Sequence, residues 1–79
     1  MAKVKIKFFG ILKEISNQSE IEMNDVANVE ELHLKIKNLF PFFSHQVYAI
    51  SVNQKIVHDL NSQISDGDEI AFLPPYSGG

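Results

Sequence analysis

From Lys3 to Phe9 the chain alternates, with Val4, Ile6 and Phe8 on one side and Lys3, Lys5 and Lys7 on the other. A repeat of two is the period of a half-buried β-strand, because successive side chains leave opposite faces of a sheet. The same parity places the aromatic Phe9 on the lysine side, facing out. Gly10 ends this strand, and Ile11, Leu12 and Ile15 have the spacing of a single helical turn. Alternation returns from Ser19 to Met23 with Ile21 and Met23 inward, so the opening predicts two strands joined by a short helical connection.

After Asn28 the period changes. Val29, Leu32, Ile36, Leu39 and Phe40 recur at helical spacing while Glu30, Glu31, Lys35 and Lys37 fall elsewhere, which predicts one amphipathic helix running to Phe40 and stopped by Pro41. Asn28 followed by Glu31 is a capping-box variant, in which a side-chain oxygen meets free backbone N–H groups at a helix start. Phe42 and Phe43 are expected to close the end of the core. Val47 to Val52 is β-branched and aromatic, Asn53 and Gln54 form a turn, and Lys55 to Val57 returns as a very short strand. Ser65, Asp66, Gly67 and Asp68 make a further turn before a last strand, Glu69 to Leu73, with Ile70 and Phe72 inward and Leu73 outward. Pro74, Pro75, Tyr76, Ser77, Gly78 and Gly79 follow without any pattern, so residues 1–73 are expected to form one domain and residues 74–79 a flexible tail.

Composition narrows the chemistry. A chain of 79 residues is one small domain, and such a domain hides only about 60% of the surface its unfolded form exposes. With no cysteine it has neither a disulfide nor a thiolate metal site, which fits a reducing cytosol. Ten acidic residues outnumber seven basic ones for a net charge of -3, and every basic residue is lysine. Without guanidinium forks a mildly acidic chain is poorly equipped for nucleic acid. The apolar runs are shorter than the roughly 18 to 20 residues of a membrane span, and the alternating start is unlike a signal core. A cytoplasmic protein with no membrane or nucleic-acid partner is expected.

Ordinary catalytic machinery is missing from the sequence. There is no nucleophile elbow and no phosphate-binding glycine loop. His33, His45 and His58 lack the spacing and carboxylate neighbours of a zinc site, so they read as packing or surface residues and no metal is expected. Asp66, Asp68 and Glu69 read as a turn in which Gly67 takes a positive φ and the aspartates bond their own backbone. Lys3, Lys5 and Lys7 read as a solvated strand face. Gly78-Gly79 differs: as a C-terminus it would present a carboxylate on an arm bare of side chains.

Taken together, Val52-Asn53-Gln54, the run Ser65-Asp66-Gly67-Asp68-Glu69-Ile70-Ala71-Phe72-Leu73-Pro74-Pro75 and the closing Gly78-Gly79 resemble the small, sulfur-carrying subunits of molybdopterin synthase. The opening strand ending in Phe8-Phe9 ahead of a short helix also matches, so the resemblance spans essentially the whole chain. It implies an α+β fold, the ubiquitin-like β-grasp, a mixed sheet of about five strands packed on one long helix. The strand, strand, helix, strand, strand, strand order read above fits it.

The resemblance also implies a chemistry. A terminal carboxylate has a pKa of about 3.5, so at neutral pH it is ionised and a poor acyl donor until its oxygen becomes a good leaving group. An adenylyltransferase resembling the ubiquitin activators would use ATP to form an acyl-adenylate on Gly79. A sulfur donor would displace AMP and leave a thiocarboxylate, which would give its sulfur to a pterin precursor inside the synthase. The catalytic side chains would belong to the large subunit, in an expected heterotetramer, with this chain a non-catalytic donor holding no permanent cofactor. Gly78 and Gly79 suit an arm that enters narrow sites because they carry no Cβ. Pro74 and Pro75 would stiffen its base, and Pro74 to Gly79 would reach at most about 20 Å.

In the family, positions matching Phe9, Ile56 and Leu73 contribute to the hydrophobic face that meets the large subunit, with Pro74 and Pro75 beside it. Since neighbours on a strand alternate, one of Ile56 and Val57 must face out. Three other readings share these features: the sulfur carrier of thiazole synthesis, typically shorter and without Pro-Pro; a protein modifier joined to lysines by isopeptide bonds; and a plain β-grasp interaction module.

Overall fold

The computed structural model describes residues 2–75. Strand β1 covers Ala2–Phe8, helix α1 Ile11–Ser16, strand β2 Glu20–Val26 and helix α2 Val29–Leu39. A short 3₁₀ helix, Pro41–His45, leads to β3 at Ala49–Val52, β4 at Lys55–Val57 and β5 at Glu69–Leu73. The five strands form one sheet in the order β2-β1-β5-β3-β4. β1 and β5 run parallel, and every other neighbouring pair is antiparallel. The first and last strands therefore lie side by side in the middle of the sheet.

The alternation of β1 and β5 explains their central place. Val4, Ile6 and Phe8 from β1 and Ile70 and Phe72 from β5 are buried in one core with Val29, Leu32 and Ile36 of α2. Burying side chains of this size contributes about 1.5–3 kcal/mol each, which is what a small domain without staples must rely on. At one end of the core the rings of Phe8, Phe40, Phe43, Tyr48 and Phe72 pack together, with Phe8 and Phe43 edge-to-face at 5.6 Å between centroids. Phe43 is 1% exposed, but Phe42 is 69% exposed, so only one of the two expected phenylalanines closes the core. Three residues per turn in a 3₁₀ helix send adjacent side chains about 120° apart, and both cannot face inward.

Local chemistry sets the other boundaries. The side chain of Asn28 accepts a hydrogen bond from the Glu31 N–H at 2.8 Å, as the capping pattern predicts. The Glu31 carboxylate reaches back one residue further than in the usual box and accepts from the Ala27 N–H at 3.0 Å. In β2, Met23 and Val26 are both buried although an odd number of positions separates them. A bulge resolves the parity: Val4 pairs with Met23 but Ala2 with Val26, and Asp25 takes a φ of 62°. The third strand begins at Ala49 instead of Val47, which is exposed.

The β3–β4 turn places Asn53 and Gln54 at φ 51° and 72°, the left-handed pair of a type I′ hairpin turn. Gly67 takes a φ of 87° in the turn before β5, and its N–H donates to the Lys3 carbonyl at 2.9 Å. The Asp66 carboxylate accepts from the Lys3 N–H at 2.9 Å, so this turn is tied to the start of β1. The resulting mixed sheet gripping one long helix is the ubiquitin-like β-grasp.

Candidate functional site

The sheet face away from α2 is built by the residues that parity turns outward. Across four strands, Lys7 pairs with Ala71, Ala71 with Ser51, and Ser51 with Ile56, giving one row of outward side chains. Ala71 and Ser51 are small, and larger residues surround them. The result is a shallow hollow of about 360 Å³ bordered by Phe9, Ile56 and Leu73, with Lys7, Glu69 and Gln54 at its margin. Phe9 is 44% exposed and Ile56 47%, while Leu73 is half-buried. Val57 turns instead toward the core, which answers which of the two neighbours faces out. Ser51 is only 4% exposed although it lies on the outer face, because its larger neighbours shield it.

One charged pair, Lys7 with Glu69, lines this hollow, and two more continue along β1 beyond it. The Lys7 ammonium lies 3.1 Å from the Glu69 carboxylate, and Lys3 and Lys5 pair with Glu22 and Glu20 at 3.8 and 3.7 Å. The lysine stripe of β1 is thus matched by acidic partners on the neighbouring strands. Exposed pairs of this kind contribute at most about 1 kcal/mol each. A shallow hollow of small residues bordered by apolar side chains offers contact area to a partner; it presents no aligned nucleophile, base and oxyanion donors.

At the edge of the hollow the chain leaves the sheet. The Phe9 N–H donates to the Phe72 carbonyl at 3.2 Å, holding the ends of β1 and β5 together. Pro74 is half-buried against Gly10, and Pro75 is exposed. Phe9, Ile56 and Leu73 thus border one hollow on the outer face, and Pro74 follows directly where the chain leaves β5. Tyr76, Ser77 and both terminal glycines, Gly78 and Gly79, lie outside the described residues.

The remaining sequence candidates lie elsewhere. His33 of α2 is hydrogen-bonded to the Tyr48 hydroxyl and packs edge-on against its ring. Burial holds the His33 pKa below its ordinary value, with the nearby Lys37 adding to the effect, and burial raises that of Tyr48. His45 and His58 are exposed. Among the described residues no group of three or more His, Cys, Asp or Glu is placed to hold a metal ion. Among the described residues no helix is long and apolar enough to cross a membrane.

Asp68, one of the candidate acidic residues, is committed to structure: one of its oxygens accepts from the Asn53 side-chain amide at 2.9 Å and the other from the Ser65 N–H at 2.8 Å. Two features of the face were not singled out from sequence, the floor residues Ser51 and Ala71. Their signal was present in the parity of β3 and β5, where each stands between inward neighbours, but small side chains attract no notice in a search for chemistry.

Comparison with known proteins adds the family. Residues 6–79 match the ThiS family. The chain is 31% identical over 84 residues to the molybdopterin synthase sulfur carrier subunit of Mycobacterium tuberculosis, with 100% of each chain covered. Among solved structures, it is similar to the small archaeal modifier protein 1 of Methanosarcina acetivorans, with a TM-score of 0.86 and 26% identity over 100% of this chain and 98% of that one. It is also similar to a chain in the complex of subunits 1 and 2 of the molybdopterin-converting factor of Helicobacter pylori, with a TM-score of 0.75 and 29% identity over 98% of this chain and 99% of the other. A match over nearly the whole length, on a β-grasp with an apolar outer face beside its last strand, places the chain in the ThiS family.

Proposed function

We propose that this protein is a sulfur carrier in molybdopterin synthesis. The carboxylate of Gly79 attacks the α-phosphate of ATP on an adenylyltransferase, pyrophosphate leaves, and an acyl-adenylate remains. A sulfur donor displaces AMP to give the thiocarboxylate. The carrier then docks its outer sheet face on the large synthase subunit, the thiocarboxylate sulfur attacks the pterin precursor and displaces an oxygen leaving group, and water hydrolyses the resulting thioester, leaving the sulfur on the pterin and a carboxylate on Gly79. Phe9, Ile56 and Leu73 supply the apolar contact, and Pro74 and Pro75 guide the arm toward the buried site. ATP is consumed by the activating enzyme and is not retained by the carrier.

The observation that carries this reading is the hollow bordered by Phe9, Ile56 and Leu73 beside the point where the chain leaves the sheet at Pro74. A docking face at the base of the arm lets one contact both recognise the partner and aim the terminus. End-to-end likeness to a named sulfur carrier subunit, and to a chain solved in complex with a second subunit, supports the same conclusion. The test is the Phe9→Glu protein, charged with sulfur and titrated against the large subunit: it should take up sulfur and fail to dock. Normal docking by that variant would remove the face from the account.

The likeness to a small archaeal modifier supports a second reading, in which the activated terminus is passed to a lysine amine. Both readings share the adenylation of Gly79 and part at the next nucleophile. A carrier returns unmodified after each turnover, whereas a modifier accumulates in conjugates that survive denaturation and reductant. Denaturing gels of host extract separate the two.

A further inference from the structure

Phe8 lies opposite Phe72 in the parallel ladder of β1 and β5, and two residues beyond each of them Gly10 meets Pro74. A Cβ built on Gly10 would stand 2.9 Å from Pro74 Cγ, with Pro74 Cβ and Cδ at 3.6 and 3.7 Å. The proline ring therefore rests directly on the glycine α-carbon. Gly10 has φ 59° and ψ -134°, close to the mirror image of polyproline II, a region open to glycine and closed to L-residues. Its carbonyl accepts from the Lys13 N–H at 3.1 Å at the opening of α1, and Leu12 just beyond is fully buried. On the other side, the Phe9 N–H bond to Phe72 fixes the chain one residue earlier. The surface under the ring is thus held at both ends, and the ring's own φ is locked.

We infer that Gly10 is a positioning residue: it is the seat on which Pro74 rests, and the seat sets the direction in which the C-terminal arm leaves the sheet. A strand terminator alone needs the positive φ at Gly10 but has no need of the missing Cβ beneath Pro74. The consequence for transfer rests on the sulfur-carrier reading, whereas the contact itself does not.

The experiment is a double-mutant cycle of Gly10→Ala and Pro74→Ala. Its readouts are affinity for the large subunit and the single-turnover rate of sulfur transfer from preformed thiocarboxylate. The strain of alanine at a positive φ is common to both backgrounds and cancels, leaving the contact with the ring. Gly10→Ala should slow transfer by about tenfold or more when Pro74 is present, since a misplacement of about 1 Å at the reacting end suffices for such a loss. In the Pro74→Ala background the same change should slow transfer by less than about twofold, with affinity nearly constant in both. Equal losses in the two backgrounds, or a loss carried by affinity alone, would overturn the proposal. Nuclear Overhauser contacts between the Gly10 α-protons and the Pro74 ring in the unsubstituted protein test the seat without any sulfur chemistry, and their absence also overturns it. A protein that never acquires sulfur but shows those contacts would count against the carrier reading and leave the seat standing.

Discussion

Asn53 and Asp68 clamp two turns that belong to different parts of the chain. The Asn53 side-chain amide donates to one Asp68 oxygen at 2.9 Å, while its own oxygen accepts from the Glu69 N–H at 3.0 Å. The Asn53 N–H adds a third link, to the Glu69 carbonyl at 2.8 Å. The hairpin turn and the turn before β5 are thus one unit.

Removing the clamp should therefore cost stability and leave chemistry alone. Hydrogen bonds to a charged group contribute about 1.5–3 kcal/mol, and Asp68→Ala should lower the free energy of unfolding by roughly that much. Asn53→Ala in the same background should cost less than it does alone, because the shared bond is already gone. Urea unfolding of the single and double variants measures both. Strict additivity would mean that the two side chains do not act together.

The outer face and the core face of β1 differ by one residue, and charge should separate them. Phe8→Glu places a carboxylate among Phe40, Phe43 and Phe72, and burying an unpaired charge there should unfold the domain. Phe9→Glu should change unfolding by no more than about 0.5 kcal/mol, as is usual for surface substitutions. Under the proposed function it should nevertheless weaken docking on the large subunit by about 2 kcal/mol or more. Thermal unfolding and a binding titration on each variant decide the assignment. A Phe9→Glu protein that unfolds would show that the side chain supports the core.

His33 predicts a dependence of stability on pH. Burial, with Lys37 beside it, lowers its folded-state pKa from the ordinary 6.5, so folding favours the neutral ring hydrogen-bonded to Tyr48. The contribution is therefore complete above the unfolded value of 6.5 and is lost as pH falls through the lower folded value. The melting temperature of the unsubstituted protein should drop more between about pH 7.5 and about pH 5.5 than that of a His33→Gln variant. Parallel drops in the two proteins would remove His33 as the cause.

Much of this architecture is legible because each long strand has one wet and one dry face. Val4, Ile6 and Phe8 declare β1 by themselves, and the same rule turns Phe9 outward. Parity fails where the backbone departs from it. The bulge at Asp25 brings Met23 and Val26 to the same side without a glycine to announce it. Ile56 and Val57 are equally apolar neighbours in a strand of three residues, so only the register of Ser51 with Ile56 decides between them. Phe42 and Phe43 are likewise indistinguishable until the 3₁₀ helix sets their directions. The meeting of Gly10 with Pro74 joins opposite ends of the chain, and no local pattern encodes it. Ala71 and Ser51 shape the hollow by what they lack.

Under the proposed function Gly79 is the acceptor of sulfur. The most direct measurement is the intact mass of the protein recovered from its own host, set beside that of a variant lacking Gly79. The full-length protein should contain a species in which one C-terminal oxygen is replaced by sulfur, and the truncated protein should keep its fold and contain none, since a terminal residue contributes little to the core. A full-length protein bearing only carboxylate while the synthase is active, or a truncated protein that still gains sulfur, would contradict the account.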